Sequence, residues 1–497
     1  MRKFLIILIA LVLVLSGCDA KIADCKGDHV DSDANGACDL CDISVVEVFD
    51  FYAINDLHGK FDDTSTNIGV DELTTFLKNA TKTDDNTIFL SSGDMWQGSS
   101  ESNLTHGNII TEWMNELDFT AMTLGNHEYD WGEEYINKNL ELAEFPFLAI
   151  NVYDKETNQL VEYCKPSVMV EKNGVKIGII GAIGDCYSSI AGEMVSGVCF
   201  KTGNELTELV KAESKKLRAD GADFIVYSLH DGYGRDSSGV KNISGNEISS
   251  YYDIDLSRGG YVDLVFEGHT HKSYVLKDTY GVYHLQNGGD NEGISHVEVK
   301  INYVNNKGAV VSASFISDSK YKNLEDDALV DNLLQKYEDE IAPAYKVICN
   351  LRYDMSGNEI KNLVAKLYYE FGVKNWGDEY DIVLGGGYLN TRSPGKLYAG
   401  EVRYSNIQMV LPFDNYITLC SIKGSDLVSR FIENNSYYIY YGEYGQGVKN
   451  NIDPDKTYYV VVDSYSSGYA KNKLTEIARI TEKIFARDLV AEYLGNG

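Results

Sequence analysis

The sequence predicts an α/β protein in two folded parts, preceded by an N-terminal leader. Its 497 residues exceed the range over which one hydrophobic core keeps growing, so at least two domains are expected. From about Val45, short β-branched and aromatic runs alternate with helical stretches such as Val70–Asn79 and Leu206–Arg218, the pattern of strands and helices around a mainly buried sheet. That alternation runs to about Asp318. Asn323–Tyr345 then carries Val330, Leu333, Leu334, Tyr337 and Ile341 at helical spacing in an acidic stretch, and reads as a connecting helix. The remainder, from about Val347, is rich in tyrosine and has strands of its own at Tyr380–Leu384 and Tyr458–Val462.

The leader, residues 1–18, is read from Arg2 and Lys3 followed by the apolar run Phe4–Leu15, which has signal-peptide rather than membrane-spanning length. Leu15-Ser16-Gly17-Cys18 closes it and resembles a bacterial lipobox. That resemblance implies lipidation of Cys18 and a mature chain anchored on the extracytoplasmic face of a membrane; an ordinary cleaved signal is the competing reading. No later apolar stretch is long enough to span a bilayer. A formal charge of -31 would repel nucleic-acid polymers, so any anionic substrate must meet positive charge supplied locally.

Residues 19–44 form a Cys- and Asp-rich stalk with too little apolar content for a core. Two metal readings compete there. Cys25, His29, Cys38 and Cys41 make a zinc-type ligand set, while Asp31, Asp33, Asn35, Gly36, Asp39 and Asp42 follow the pattern of a calcium loop. A polar stalk held by one or two disulfides competes with both. With Cys18 reserved for lipid, eight of nine cysteines remain, and Cys186 and Cys199 lie close enough in the chain to suggest one disulfide loop.

The chemistry is carried by five predicted strands that each end in groups able to bind a metal, and ligands in layered α/β folds lie beyond the carboxyl ends of strands. Val45–Ile54 runs into Asn55-Asp56-Leu57-His58, Thr87–Leu90 into Gly93-Asp94, and Ala121–Leu124 into Gly125-Asn126-His127-Glu128-Tyr129-Asp130. Ala222–Leu229 ends at His230, and Val262–Phe266 leads into Gly268-His269-Thr270-His271. Each motif alone has a bland structural reading, but five of the nine histidines fall in them. Mixed carboxylate, imidazole and amide ligands suit two borderline divalent ions, zinc, manganese or iron. Such a pair activates water and stabilises charge on a phosphoryl group, so phosphoester hydrolysis is expected.

These residues resemble the calcineurin-like metallophosphoesterases, and the length, second domain and leader narrow the resemblance to secreted 5'-nucleotidases and 2',3'-cyclic-nucleotide phosphodiesterases. The resemblance implies a four-layer αββα catalytic domain over residues 45–318. A linker helix over 319–346 would join it to an α/β nucleotide-recognition domain over 347–497. It further implies that Asp56, His58, Asp94 and His271 hold one ion and Asp94, Asn126, His230 and His269 the other, with Asp94 bridging. His127 is then free to act on the phosphoryl or leaving-group oxygen, with Asp130 orienting its imidazole. Glu128 belongs to the motif without an assignable role.

The second part matches the same family unevenly. Leu411-Pro412-Phe413-Asp414-Asn415 is a close match, implying that Phe413 stacks on a base and Asn415 hydrogen-bonds to it. Gly385-Gly386-Gly387 resembles the family's glycine-rich turn, but Tyr388 and Leu389 stand where an arginine is usual, and Arg392 is the candidate replacement. Tyr465 is the candidate second stacking aromatic, followed by Ser466-Ser467-Gly468 in place of the usual glycine and aspartate. The expectation is an extracellular enzyme releasing phosphate and nucleoside from nucleoside 5'-monophosphates. A cyclic-nucleotide phosphodiesterase or nucleotide-sugar hydrolase with the same metals is the enzymatic alternative, and a catalytically silent surface binding protein the alternative of another class.

Overall fold

The computed structural model describes residues 29–61, 69–83, 85–232, 251–392, 394–433, 439–442, 452–469 and 473–496. The leader and its Cys18, and Cys25 of the stalk, lie outside these residues. In chain order the first part contains β1 (Val46–Ile54), α1 (Asp71–Thr83), β2 (Thr87–Ser91), α2 (Asn108–Glu116), β3 (Ala121–Thr123), α3 (Glu133–Leu142), β4 (Phe147–Leu148), β5 (Ser167–Lys172) and β6 (Val175–Ile183). It continues with α4 (Asn204–Ala219), β7 (Phe224–His230), α5 (Tyr251–Arg258), β8 (Leu264–Glu267), β9 (Tyr274–Lys277), β10 (Tyr283–Gln286), β11 (Gly293–Asn302) and β12 (Lys307–Ser317).

Two six-stranded sheets result, ordered β12-β11-β1-β2-β3-β4 and β9-β10-β8-β7-β6-β5. Strand alternation explains why both faces of each are covered. In β1, Phe49, Phe51 and Ala53 face the second sheet and pack with Ile177, Ile179, Val226 and Phe266. Ile54, with Tyr52 beside it, instead packs towards Leu73, Leu77, Ile110 and Trp113 of the helices α1 and α2. In β7, Val226 joins the intersheet core while Ile225, Tyr227 and Leu229 pack against Leu206, Val210 and Leu217 of α4. Helix, sheet, sheet, helix is the expected four-layer order. The run β1-β2-β3-β4 is parallel, as is β10-β8-β7-β6, so the carboxyl ends that carry the motifs emerge together.

The predicted connecting helix is interrupted. Its first segment, α6 (Ala328–Lys336), is N-capped by Asp327 and ends at Tyr337, where the backbone leaves helical geometry. A single turn, α7 (Glu338–Ile341), and a 3-10 turn containing Pro343 follow. Proline lacks the N–H that a continuing helix would need, which accounts for the second break. The apolar periodicity still served its purpose: Val330, Leu333, Tyr337 and Ile341 are buried against the helical face of the first sheet.

The second part comprises α8 (Gly357–Trp376), β13 (Ile382–Gly387), α9 (Tyr404–Val410), β14 (Ile417–Lys423), β15 (Ile439–Gly442), β16 (Thr457–Asp463), α10 (Ser464–Tyr469), β17 (Leu474–Arg479) and α11 (Ala486–Gly495). Its sheet is ordered β15-β13-β16-β14-β17. Gly385-Gly386-Gly387 is therefore the end of a strand and not a turn. A Cβ on Gly385 would lie 2.2 Å from the Tyr369 backbone nitrogen of α8, so small residues here let helix and sheet approach.

The suggested Cys186–Cys199 disulfide is not formed, and none of the seven cysteines among the described residues is in a disulfide. Cys186 is buried, and its thiol donates to the His230 carbonyl at 2.9 Å. Cys199 sits on a two-stranded ribbon, paired across from Tyr153. No helix among the described residues is long and apolar enough to cross a membrane.

Candidate active site

At the motif-bearing end of the sandwich the backbone takes conformations that residues with a β-carbon avoid. Asp56 (φ 51°), His58 (51°), Asp94 (56°), His269 (70°) and His271 (53°) are all left-handed. At about 1–2 kcal/mol per residue, such strain persists where a site requires it. Close approach enforces part of it. A Cβ on Gly93 or Gly268 would lie 2.7 or 2.8 Å from the His230 Nδ1, so the loops after β2 and β8 can meet over that ring only as glycines.

The imidazoles are oriented by the chain itself. His58 Nδ1 donates to the Gln97 carbonyl at 2.8 Å, and His230 Nδ1 to the Ser92 carbonyl at 2.7 Å, which turns each Nε2 towards the site. His58 Nε2 lies 3.0 Å from His271 Nε2, and His230 Nε2 lies 3.1 Å from Asp94 Oδ2 and 3.3 Å from Asn126 Oδ1. Asp56 is fully buried. Its Oδ2 accepts from the His269 N–H at 2.8 Å and from Asn55 Nδ2 at 2.6 Å, while Oδ1 has no hydrogen-bond partner and lies 3.2 Å from His271 Nε2. An orphaned buried carboxylate oxygen facing ring nitrogens is the arrangement a cation resolves. The donor atoms of Asp56, His58 and His271, and those of Asp56, Asp94 and His230, each lie within 4.8 Å of one another.

The charges are set by this crowding. Burial opposes ionisation of Asp56, yet the His271 and His230 imidazoles outweigh it and hold the carboxyl to about 2. Burial likewise disfavours charge on His58, and with His271 beside it the ring is held to about 3. His230 is also penalised by burial, but Asp94 pulls it up to about 10. His127 is raised above its ordinary value for the same reason, burial being outweighed by Asp130 and Asp94. Its Nδ1 lies 2.8 Å from Asp130 Oδ2, and its backbone N–H donates to Asp94 Oδ1 at 2.8 Å.

The two parts of the chain meet at this histidine. The Arg392 guanidinium donates to His127 Nε2 at 2.7 Å and lies over the Phe413 ring, 5.3 Å from its centroid. That ring in turn stacks beside His127 at 5.9 Å. A cavity of about 400 Å³ opens here, lined by Asn126, His127, Asp130 and His269 from the first part and by Arg392, Phe413, Asn415 and Tyr465 from the second. Every residue singled out for substrate therefore shares a cleft with the histidine–aspartate pair. Asp56, His58, Asp94 and His230 lie buried around it.

Residues 49–273 match the family model described as calcineurin-like phosphoesterase. This part of the chain is a calcineurin-like metallophosphoesterase domain. The chain is 27% identical over 423 residues to an apyrase of Tabanus yao, spanning 78% of this chain and 72% of that one. It is 23% identical over 447 residues to protein UshA of Yersinia enterocolitica, covering 77% and 78%. The crystal structure of a 5'-nucleotidase precursor from Thermus thermophilus shares the fold at a TM-score of 0.69 and 19% identity, over 90% of this chain and 96% of that one. With its clustered donors, the metallophosphoesterase domain is that of a metal-dependent hydrolase with a two-metal centre, related to nucleotidases and phosphodiesterases.

Several site residues escaped sequence reasoning. Glu128 is fully buried and gathers four backbone N–H groups: Asp94 and Gly125 donate to Oε2 at 2.9 and 2.6 Å, Met95 and Trp96 to Oε1 at 2.7 and 3.3 Å. It ties the Asp94 loop to the Asn126 loop. Burial and the Asp94 charge together raise its carboxyl to about 7. Asn55 and Asn287 clasp each other's backbones through four hydrogen bonds of 3.0 to 3.1 Å, which holds Asp56 in place from 232 residues away. Tyr388 and the buried Asp463 also line the cleft. Glu128, Asn55 and Tyr388 stand in segments the sequence singles out, though without these roles; Asn287 and Asp463 depend on contacts between distant segments.

Proposed function

We propose that the protein hydrolyses nucleoside 5'-monophosphates to nucleoside and phosphate outside the cytoplasm. The observation that carries this reading is the shared cleft, in which a metal-site wall with His127 and Asp130 faces Arg392 and two aromatic rings, Phe413 and Tyr465. Its volume, about 400 Å³, suits a small polar ligand with one flat ring system.

In this reading Asp56, His58, Asp94 and His271 would hold one divalent ion and Asp94, Asn126, His230 and His269 the other, Asp94 being shared between the two sets. When bound, such a pair lowers the pKa of water and neutralises charge developing on the phosphoryl group. Arg392 supplies the local positive charge that a chain of -31 otherwise withholds, binding phosphoryl oxygens through its guanidinium. Phe413 stacks on the base, Tyr465 closes the other side, and Asn415 hydrogen-bonds to the base edge. His127, held by Asp130, stabilises or protonates the leaving oxygen at Nε2, the atom Arg392 now contacts.

The same reading assigns residues 45–318 to catalysis, 319–346 to the connection and 347–497 to substrate recognition. Residues 1–18 are then a lipoprotein leader that leaves Cys18 lipidated and the enzyme on a membrane, with 19–44 as its stalk. A second substrate class, a cyclic nucleotide or nucleotide sugar, is favoured by Tyr388 and Leu389 lining the cleft where the family's arginine is expected.

The test is phosphate release from AMP with added manganese or zinc, beside Asp94→Asn and a chelated control. Release lost in both controls supports the two-metal nucleotidase. Activity confined to a diester overturns the monophosphate reading, and silence on every ester with metals bound favours a binding protein.

A further inference from the structure

The stalk carries donors that the catalytic centre does not use. His29 Nδ1, Cys38 Sγ and Cys41 Sγ all lie within 4.8 Å of one another, with 3.6 Å between Cys41 Sγ and His29 Nδ1. Around a tetrahedral zinc, bonds of about 2.3 Å to sulfur and about 2.0–2.1 Å to nitrogen place those two ligand atoms roughly 3.5 Å apart. The spacing found is thus the spacing a metal imposes. Both cysteines are buried, at 0% and 5% exposure, and neither is in a disulfide. The Val30 backbone N–H donates to the Cys38 sulfur at 3.5 Å.

We propose that His29, Cys38 and Cys41 form a third metal site, for a thiolate-seeking divalent ion of the zinc class, separate from the catalytic pair. Its role is to fasten the stalk to the catalytic domain. Cys38, Cys41 and Val45 form a small apolar cluster with Tyr303 and Val304, in the turn between β11 and β12, and the His29 ring meets Tyr303 edge-on at 6.4 Å. Asn302 Nδ2 donates to Asp31 Oδ2 at 2.5 Å, and the Tyr303 N–H donates to the Val45 carbonyl at 3.2 Å. Below about 40 residues an isolated segment lacks the core to hold a shape, and a bound ion commonly supplies what is missing. The acidic side chains Asp31, Asp33 and Asp39 also cluster here, but Asp31 already accepts from the Asn35 and Gly36 N–H groups, at 3.0 Å each.

In a Cys186→Ser background, which removes the one thiol lying within 4.8 Å of the His230 and His269 donor atoms, cobalt(II) substitution separates this site from the catalytic one, because thiolate-to-cobalt charge transfer absorbs in the near ultraviolet and the remaining catalytic donors include no thiolate. The metal-free protein, titrated with cobalt, is expected to develop this band. Cys38→Ser should lose most of it, and Cys41→His, which keeps a ligand but removes one sulfur, should retain roughly half. Asp94→Asn should keep all of it. Circular dichroism of each variant guards against misfolding. Absence of the band in the folded parent, its survival in Cys38→Ser, or a Cys38–Cys41 disulfide found by peptide mass would overturn the proposal. So would divalent-ion binding at the stalk that Asp31→Asn abolishes while both thiols stay reactive.

Discussion

Asp463 allows a prediction whose size follows from the structure. It ends β16 beside the cleft, is buried at 5% exposure, and its Oδ1 accepts the Ser466 N–H at 2.6 Å. Burial raises its carboxyl from 3.8 to about 6. A carboxyl with a raised folded-state pKa favours the folded state fully only below the unfolded value, and that contribution is lost as pH rises through the folded value. The stability attributable to Asp463 should therefore fall between about pH 4 and pH 7, by the two-unit gap times about 1.4 kcal/mol, or about 3 kcal/mol. Asp463→Asn removes the titration. The substitution adds a constant through its altered hydrogen bonding, but a constant cannot change with pH. Urea unfolding of both proteins without added metal, from pH 4 to pH 8, should thus show the asparagine variant gaining about 2–3 kcal/mol on the parent across that range. A stability difference that is flat with pH would refute the claim that this carboxylate is held in an apolar setting without a compensating cation.

Other perturbations test the site. In metal-loaded protein, where cation charge offsets Asp94, Glu128→Gln turns one acceptor oxygen into a donor and strands two of four buried N–H groups. At about 1–3 kcal/mol each this should cost about 2–6 kcal/mol, and unfolding curves with elemental analysis should show lower stability and depleted metal. Arg392→Ala should reduce kcat/KM for AMP on the order of 10²–10³-fold, and Arg392→Lys should not restore it, since an ammonium cannot make the same planar fork. Gly93→Ala should abolish metal retention, because its Cβ would meet the Gly125 nitrogen and His230 Nδ1 at 2.7 Å each in a left-handed conformation (φ 91°). Full metal content in that variant would show the loops to be more yielding than the packing implies.

Much of this molecule was legible in the linear sequence because its signals are local. Hydrophobic alternation marks a strand wherever it occurs, so β1, β2, β3, β7 and β8 and the motif at the end of each could be read in order. Side chains recruited for chemistry stand out when a polar cluster follows an apolar run, which is why Asp56, His58, Asp94, His230, His269 and His271, whose donor atoms the fold gathers into clusters, could be singled out along the chain. The periodicity of Asn323–Tyr345 placed Val330, Leu333, Tyr337 and Ile341 on the buried face. It did not locate the breaks, because amphipathic spacing reports which face is covered and not whether each backbone hydrogen bond is made.

The cysteines mark the boundary from the other side. Cys199 lies only thirteen positions after Cys186 in the chain, yet one thiol is turned to the His230 carbonyl and the other sits on a ribbon, so nearness along the chain carried no geometry. By itself the sequence determined the α/β order of the first part, the donors at its strand ends, and the aromatic and basic residues available for a substrate. Only the tertiary structure decided that Arg392 reaches His127 across 265 positions, that Asn287 clasps Asn55, and that Glu128 binds two loops into one wall. The physical reason is that these contacts are closed by packing of the sheets and of the two parts against each other, and a pairing made by packing leaves no period in the chain for a reader to find.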